Sequence, residues 1–168
     1  ETKYTFLNYC LFVTFFPQLV AGPIVLPKEM LPQFADKEKK TINYNNMNKG
    51  LYLLAIGLVK KAFLADTIAI FANAGFSLEN LTFMDSWITS ITYSLQLYLD
   101  FSAYSDIAMG IALMFNILLP LNFNSPYLSS NIKEFWNRWH MTLGRFLTTY
   151  IYIPLGGSKK GKITTLIN

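Results

Sequence analysis

The residues best suited to chemistry lie in one stretch, Asn122 to Gly157, which reads NFNSPYLSSNIKEFWNRWHMTLGRFLTTYIYIPLGG. It holds the only histidine of the chain, His140. An imidazole titrates near neutrality and can serve as a general base, or equally as a hydrogen-bonded structural group. Ser129, Ser130 and Asn131 can cap a helix whose first turn carries Lys133 and Glu134. That helix is predicted to present Trp136, Arg138, Trp139 and His140 within little more than one turn. Tyr150, Tyr152 and a Pro154-Leu155-Gly156-Gly157 turn follow. Two accounts fit such a helix. It could line a polar tunnel where a His–Arg–Asn set meets a substrate. It could also lie at a membrane interface, with tryptophan at headgroup level and arginine reaching phosphate.

Asp100 and Asp106 form the second candidate set, inside an otherwise apolar run. Six residues apart on a helix, they do not share a face, but Asp100 can meet Tyr104 and Ser102 can meet Asp106. Carboxylates in an apolar run either pack between helices or line a cavity. Other chemistries lack their residues. No second histidine, cysteine pair or carboxylate cluster stands at metal-ligand spacing, so no metal is expected. Gly156-Gly157 is a turn, not a phosphate cradle, and no Gly-x-Ser-x-Gly elbow occurs. The one cysteine, Cys10, excludes an internal disulfide and reads as a small buried hydrophobe.

The elements that must position these groups read as membrane helices. Hydrophobic residues make up 52% of the chain and charged residues 14%, against about 25% charged in a soluble domain. Mean hydropathy is +0.30. The net charge of +4 comes from lysines grouped between apolar runs, which favours cytoplasmic loops over nucleic acid. The interval Tyr4–Pro27 is free of charge. Its first half suits the end of a membrane helix, and Pro17, Gly22, Pro23 and Pro27 then predict a bent or re-entrant piece over Gln18–Leu31. Lys28–Lys49 reads as a polar loop with room for a short surface helix, and Asn46 or Asn48 as the cap of the next helix. Leu51–Phe76 reads as two helical pieces interrupted by Lys60, Lys61 and Asp66. These charges either snorkel or form a polar cluster facing a cavity. After a connection with Asn80 and Asp85 as turn or cap residues, Trp87 is an interfacial anchor. A helical run then reaches Leu119 as one tilted helix or two with a break. Basic zones at Lys28–Lys49 and Lys133–Lys162 predict two membrane crossings between them, within residues 47–76 and 87–119.

Four segments together carry a resemblance. PQLVAGPIVLPKEMLPQF (Pro17–Phe34), LDFSAYSDIAMG (Leu99–Gly110), NFNSPYLSSNIKEFWNRWHMTLGRFL (Asn122–Leu147) and YIPLGG (Tyr152–Gly157) resemble the membrane-bound O-acyltransferase family in the family's own order. The match looks closest to its alginate O-acetylation branch, with the D-alanyl transfer protein of teichoic acid synthesis as a more distant relative. The resemblance implies an all-α, polytopic transmembrane fold with broken and interfacial helices. It implies passage of an acyl group, acetyl first among them, across the membrane to a cell-envelope polysaccharide such as alginate or peptidoglycan. The donor would be acetyl-CoA or another acyl thioester, with no cofactor bound. The partners would be membrane lipid, the polysaccharide acceptor and an extracytoplasmic esterase-like acetyltransferase, in a bacterial inner membrane.

The resemblance also implies roles. His140 matches one polar position of the family's two-residue pattern and takes a supporting part. The principal histidine belongs to a later Trp-His motif that these 168 residues do not contain. Substrate binding falls to Asn137, Arg138, Trp136, Trp139, Tyr150, Asp100 and Asp106. Arg138 would meet phosphate or carboxylate, Asn137 and Tyr150 would donate hydrogen bonds, and the tryptophans would wall the channel. Glu1–Tyr4 carry no signal-peptide features, and a basic turn before the apolar run Ile163–Ile167 closes the sequence. Residues 1–168 are therefore expected to be an internal part of a single membrane-embedded acyltransferase domain, inactive alone. A transporter or channel segment and a non-catalytic membrane scaffold are the competing readings.

Overall fold

A computed structural model describes residues 5–158 and Gly161. The basic residues Lys159, Lys160 and Lys162, the run Ile163–Ile167 and the segment Glu1–Tyr4 lie outside the described residues. Among the described residues all regular structure is helical, in keeping with the all-α expectation. The chain divides into two compact units. One comprises the residues up to Gly22 together with Leu26–Leu119. The other comprises Pro23–Val25 and the residues from Pro120 onward.

The first unit is built on a helical hairpin. Helix α1 (Phe6–Thr14) and α2 (Pro27–Ala35) precede it. Helix α3 (Tyr44–Val59) continues through a π-helical turn, Lys60–Ala65, into α4 (Asp66–Phe76). Helix α5 (Phe83–Met114) returns alongside. Its 32 residues make a rod of about 48 Å. Thr82 caps α5 by accepting from the Asp85 N–H, and the Asp85 carboxylate accepts from the Thr82 N–H and hydroxyl. Asn43, not Asn46 or Asn48, caps α3, because its side chain accepts from the Asn46 N–H. The Asn46 side chain instead donates to Asn116.

The hairpin seam is made of small side chains. Gly50, Gly57, Ala65, Ala72 and Gly75 are buried on one rod, and Thr89, Ser102, Ala103, Ser105, Ala108, Gly110 and Ala112 on the other. A Cβ on Gly50 would stand 2.6 Å from the Gly110 carbonyl oxygen, and one on Gly110 would stand 2.7 Å from that of Gly50. One on Gly57 would stand 2.9 Å from the Ala103 carbonyl. The backbones thus touch at positions a side chain would block. Large apolar residues such as Phe63, Phe71, Phe76, Trp87 and Ile91 are exposed. Small inside and large outside is the arrangement of helices packed in lipid, where burying a large apolar side chain gains little and close backbone approach gains much.

None of the described helices is long and apolar enough to cross a membrane. The two crossings predicted within 47–76 and 87–119 are therefore not present as simple apolar spans. Helix α5 has the length, but Asp85, Asp100, Asp106 and many hydroxyl residues dilute its apolar character. The opposing rod carries Lys60, Lys61 and Asp66 at its π turn. Of the two alternatives for the run after Trp87, the structure has the single helix, unbroken through Asp100–Asp106 and ending at Met114, and Leu51–Phe76 forms one rod rather than two pieces. The charges are accommodated by pairing across the seam. Lys60 pairs with Asp106 at 2.5 Å, and Lys61 lies 2.9 Å from both Asp66 and Asp100.

Cys10 is half-buried rather than buried. The stretch predicted to be bent opens as a turn at Phe16–Gln18, and α2 begins at Pro27. Asn116 ends α5 in the left-handed region at φ 59°. Its side-chain amide donates to the Lys39 and Thr41 carbonyls, tying the loop before α3 to the end of α5.

Candidate functional site

The second unit holds most of the predicted site residues. Helix α6 (Ile132–Arg138) begins as the sequence predicts, with Asn131 accepting from the Glu134 N–H at 2.9 Å. The Glu134 carboxylate accepts from the Ser130 N–H and hydroxyl and from Arg138. These bonds, the Ser130 N–H foremost, hold its pKa at about 2, so it stays ionised at neutral pH.

The predicted single helix through His140 is instead broken. Helix α6 stops at Arg138, Trp139 is extended, and His140 lies in the left-handed region at φ 43°. Helix α7 (Met141–Leu147) starts immediately after it. The break has a partner in the segment Asn122–Asn124. The Asn124 N–H donates to the Arg138 carbonyl at 2.9 Å, and the Met141 N–H donates to the Asn122 carbonyl at 2.8 Å. These bonds satisfy backbone groups that a continuous helix would have used internally, so helix propensity yields to tertiary pairing.

His140 is thereby held at a corner rather than along a helix face. Its Nδ1 lies 3.0 Å from Oδ1 of Asn122, which is completely buried. Burial also pushes the imidazole pKa below its ordinary value, so His140 is neutral at pH 7. The Asn122 Oδ1 also accepts from the Thr142 hydroxyl at 2.9 Å, and that hydroxyl accepts from the Ile24 N–H at 3.0 Å. Arg145 donates to the Ile24 carbonyl at 3.1 Å. Sequence reading passed over Asn122, Thr142 and Arg145. Their types are unremarkable, and their partners stand some 20 and 120 residues apart in the chain.

The other candidates occupy distinct settings. Trp139 stacks on Phe135 with ring centres 5.6 Å apart and meets Phe123 edge-on at 5.2 Å. Trp136 is 62% exposed and, with Asn137, borders an open cavity of about 660 Å³ whose other wall includes Thr142, Arg145 and Thr148. Arg138 is already engaged by Glu134 at 2.7 Å. Tyr150 is half exposed in a π-helical turn, Thr148–Tyr152, against Phe146. The Gly156-Gly157 turn forms as predicted, both residues having positive φ.

Asp100 and Asp106 belong to the other unit. The pairings predicted with Tyr104 and Ser102 do not form: the carboxylates turn to Lys61 and Lys60, Tyr104 donates to the Leu19 carbonyl, and Ser102 to the Leu99 carbonyl. Among the described residues no three of His, Cys, Asp or Glu are placed to hold a metal ion.

One unit is thus a helix capped by Asn131 and broken at a histidine held by a buried asparagine, and the other a hairpin seamed with small residues. The chain belongs to the MBOAT, membrane-bound O-acyltransferase family, whose model matches residues 1–168. It is 57% identical over 155 residues to the peptidoglycan O-acetyltransferase of Helicobacter pylori, covering 92% of this chain and 29% of that protein. It is 41% identical over 162 residues to the Pseudomonas aeruginosa protein named "Probable alginate O-acetylase AlgI", covering 96% and 31%. The teichoic acid D-alanyltransferase of Bacillus subtilis is 33% identical over 151 residues, covering 84% and 36%. The chain spans about a third of the length of these curated relatives.

Proposed function

We propose that these residues are part of a multi-pass O-acyltransferase of the bacterial inner membrane that transfers an acetyl group to a hydroxyl of a cell-envelope polysaccharide. Higher identity to the peptidoglycan enzyme than to the alginate proteins, 57% against 41%, favours peptidoglycan as acceptor. The donor is acetyl-CoA or another acyl thioester. The partners are lipid, the glycan and an extracytoplasmic esterase-like acetyltransferase. Exposed apolar side chains on both hairpin rods support a membrane setting, with the paired charges kept toward the seam.

A hydroxyl is a weak nucleophile and needs a base at hand. In the transfer, the acceptor hydroxyl gives up its proton as its oxygen bonds to the thioester carbonyl carbon. The carbon–sulfur bond breaks, and the thiolate leaves and takes a proton. The observation that carries the reading is the fixed, neutral His140, held by Asn122 and next in sequence to Met141 and Thr142, which line a cavity together with Trp136, Asn137 and Arg145. His140 supports proton handling in this step. Asn137 and Tyr150 bind substrate through hydrogen bonds. Trp136 and Trp139 wall the path, and Arg138 contributes positive charge beside it. Asp100 and Asp106 line the polar part of the hairpin. Acetyl transfer by membranes carrying the full-length protein, assayed by mass spectrometry of released muropeptides, tests this. The His140→Gln variant is expected to lose at least about a hundredfold in rate, and unchanged acetylation would refute the assignment.

A further inference from the structure

His140 can exist as two neutral tautomers, and only one offers a lone pair at Nε2. The hydrogen bonds around it decide between them. A backbone N–H only donates, so the Ile24 N–H at 3.0 Å fixes Thr142 Oγ1 as its acceptor. The Thr142 hydroxyl hydrogen is then directed to Asn122 Oδ1 at 2.9 Å. The Thr142 N–H, at 3.4 Å from the same atom, requires an acceptor there too, which settles the orientation of the amide. Asn122 Oδ1 can only accept. The His140 Nδ1 facing it at 3.0 Å must therefore carry the proton.

We propose that Asn122 and Thr142 are positioning residues that hold His140 as the Nδ1–H tautomer, with Nε2 the nitrogen that carries no proton. The inference rests on the acyl-transfer reading above for its catalytic consequence, and on geometry alone for the tautomer. Burial supports the assignment. Asn122 is fully buried and Thr142 is 2% exposed, so water cannot replace either partner. The left-handed backbone of His140 serves the same end. It turns the residue back over Asn122 at a strained corner that a regular helix would not provide. Pro23–Val25 enter the same device, because Arg145 grips the Ile24 carbonyl and so sets the N–H that starts the relay.

The test uses the full-length protein in detergent, labelled with ¹⁵N histidine, with the His140 signals identified by their loss in His140→Gln. The wild type is expected to show a protonated Nδ1 and an unprotonated Nε2. Thr142→Val removes the donated proton while keeping the shape. It should shift the tautomer balance and lower kcat roughly 10- to 100-fold with KM little changed. Thr142→Ser should restore both. Asn122→Asp, if it folds, should keep the tautomer and move the acid limb of the pH–rate profile upward, because a carboxylate favours the imidazolium. A wild-type His140 protonated at Nε2, or a Thr142→Val protein with unchanged tautomer and kcat, would overturn the inference. Full activity of His140→Gln would instead remove the acyl-transfer role of His140. The NMR reading cannot produce that result, so the two failures are distinguishable.

Discussion

The hairpin unit and the His140 unit solve the same problem by different means. In the hairpin, specificity resides in side-chain size: glycine, alanine and serine at the seam let two backbones touch, and ion pairs absorb the charges. In the His140 unit, the helices are short and broken, seven residues each for α6 and α7. There, specificity resides in individual hydrogen bonds between side chains and backbone. The first kind of order fails when something is added, the second when something is removed.

The largest expected effect breaks the hairpin side of the comparison. Gly110→Leu places a Cβ against the Gly50 carbonyl and the Leu54 N–H, each at 2.7 Å. Two backbones must separate, not one flexible side chain, so the cost should exceed the about 1–3 kcal/mol of ordinary overpacking. A thermal melt in detergent should show no cooperative transition, or a midpoint far below that of the wild type.

Removing rather than adding comes next. Asn116 is buried and makes hydrogen bonds to Asn46, Lys39 and Thr41. Asn116→Ala leaves those partners unmet in a backbone conformation unfavourable to alanine, costing about 2–4 kcal/mol. Asn116→Gly relieves only the conformational part and should recover about 1 kcal/mol of it. Chemical denaturation of the pair separates the two contributions.

The ion pairs sharpen the contrast further. The Lys60–Asp106 side chains are 28% and 17% exposed, whereas those of Lys61, Asp66 and Asp100 are 44%, 54% and 39% exposed. Lys60→Met should therefore destabilise by about 1–3 kcal/mol through the uncompensated carboxylate, and adding Asp106→Leu should restore much of it. Lys61→Met should cost under about 1 kcal/mol, since solvent screens its partners.

How much of this was legible in the sequence follows from the same division. The Asn131 cap and the Pro-Leu-Gly-Gly turn depend on neighbours within four residues, and they read correctly, while Asp85 was picked out but serves as the partner of the capping residue Thr82. The all-helical class followed from long apolar runs. Whether α5 runs unbroken through Asp100–Asp106 or breaks there could not be decided from the sequence, because the lysines that neutralise those carboxylates come from a rod some 40 residues earlier. The helix break at His140 was hidden for a similar reason. Nothing between Trp136 and Leu143 is a helix breaker, and the break depends on Asn122 and Asn124 accepting and donating backbone bonds from outside the segment. Composition announced a membrane protein, yet none of the described helices is long and apolar enough to cross a membrane, because charges paired across the seam interrupt the longest of them.

The smallest predicted effect has the opposite sign and tests the comparison most directly. Gly144 lies inside α7, and a Cβ built there meets nothing within 4 Å. No carbonyl approaches it as Gly50 and Gly110 approach each other, and its backbone is ordinary helix. Gly144→Ala should therefore stabilise by about 0.5–1 kcal/mol by restricting the unfolded chain. A raised melting midpoint beside the collapse of Gly110→Leu would show that glycine in the hairpin is required by contact. In α7 the fold would not require glycine, and any need for it would lie in the cavity that Gly144 borders with Thr148 and Arg145. If Gly144→Ala is more stable yet slower in acetyl transfer, the added methyl group intrudes on substrate. If it is less stable, the short helices of the His140 unit are packed as tightly as the hairpin, and the division between order by size and order by hydrogen bonding does not hold.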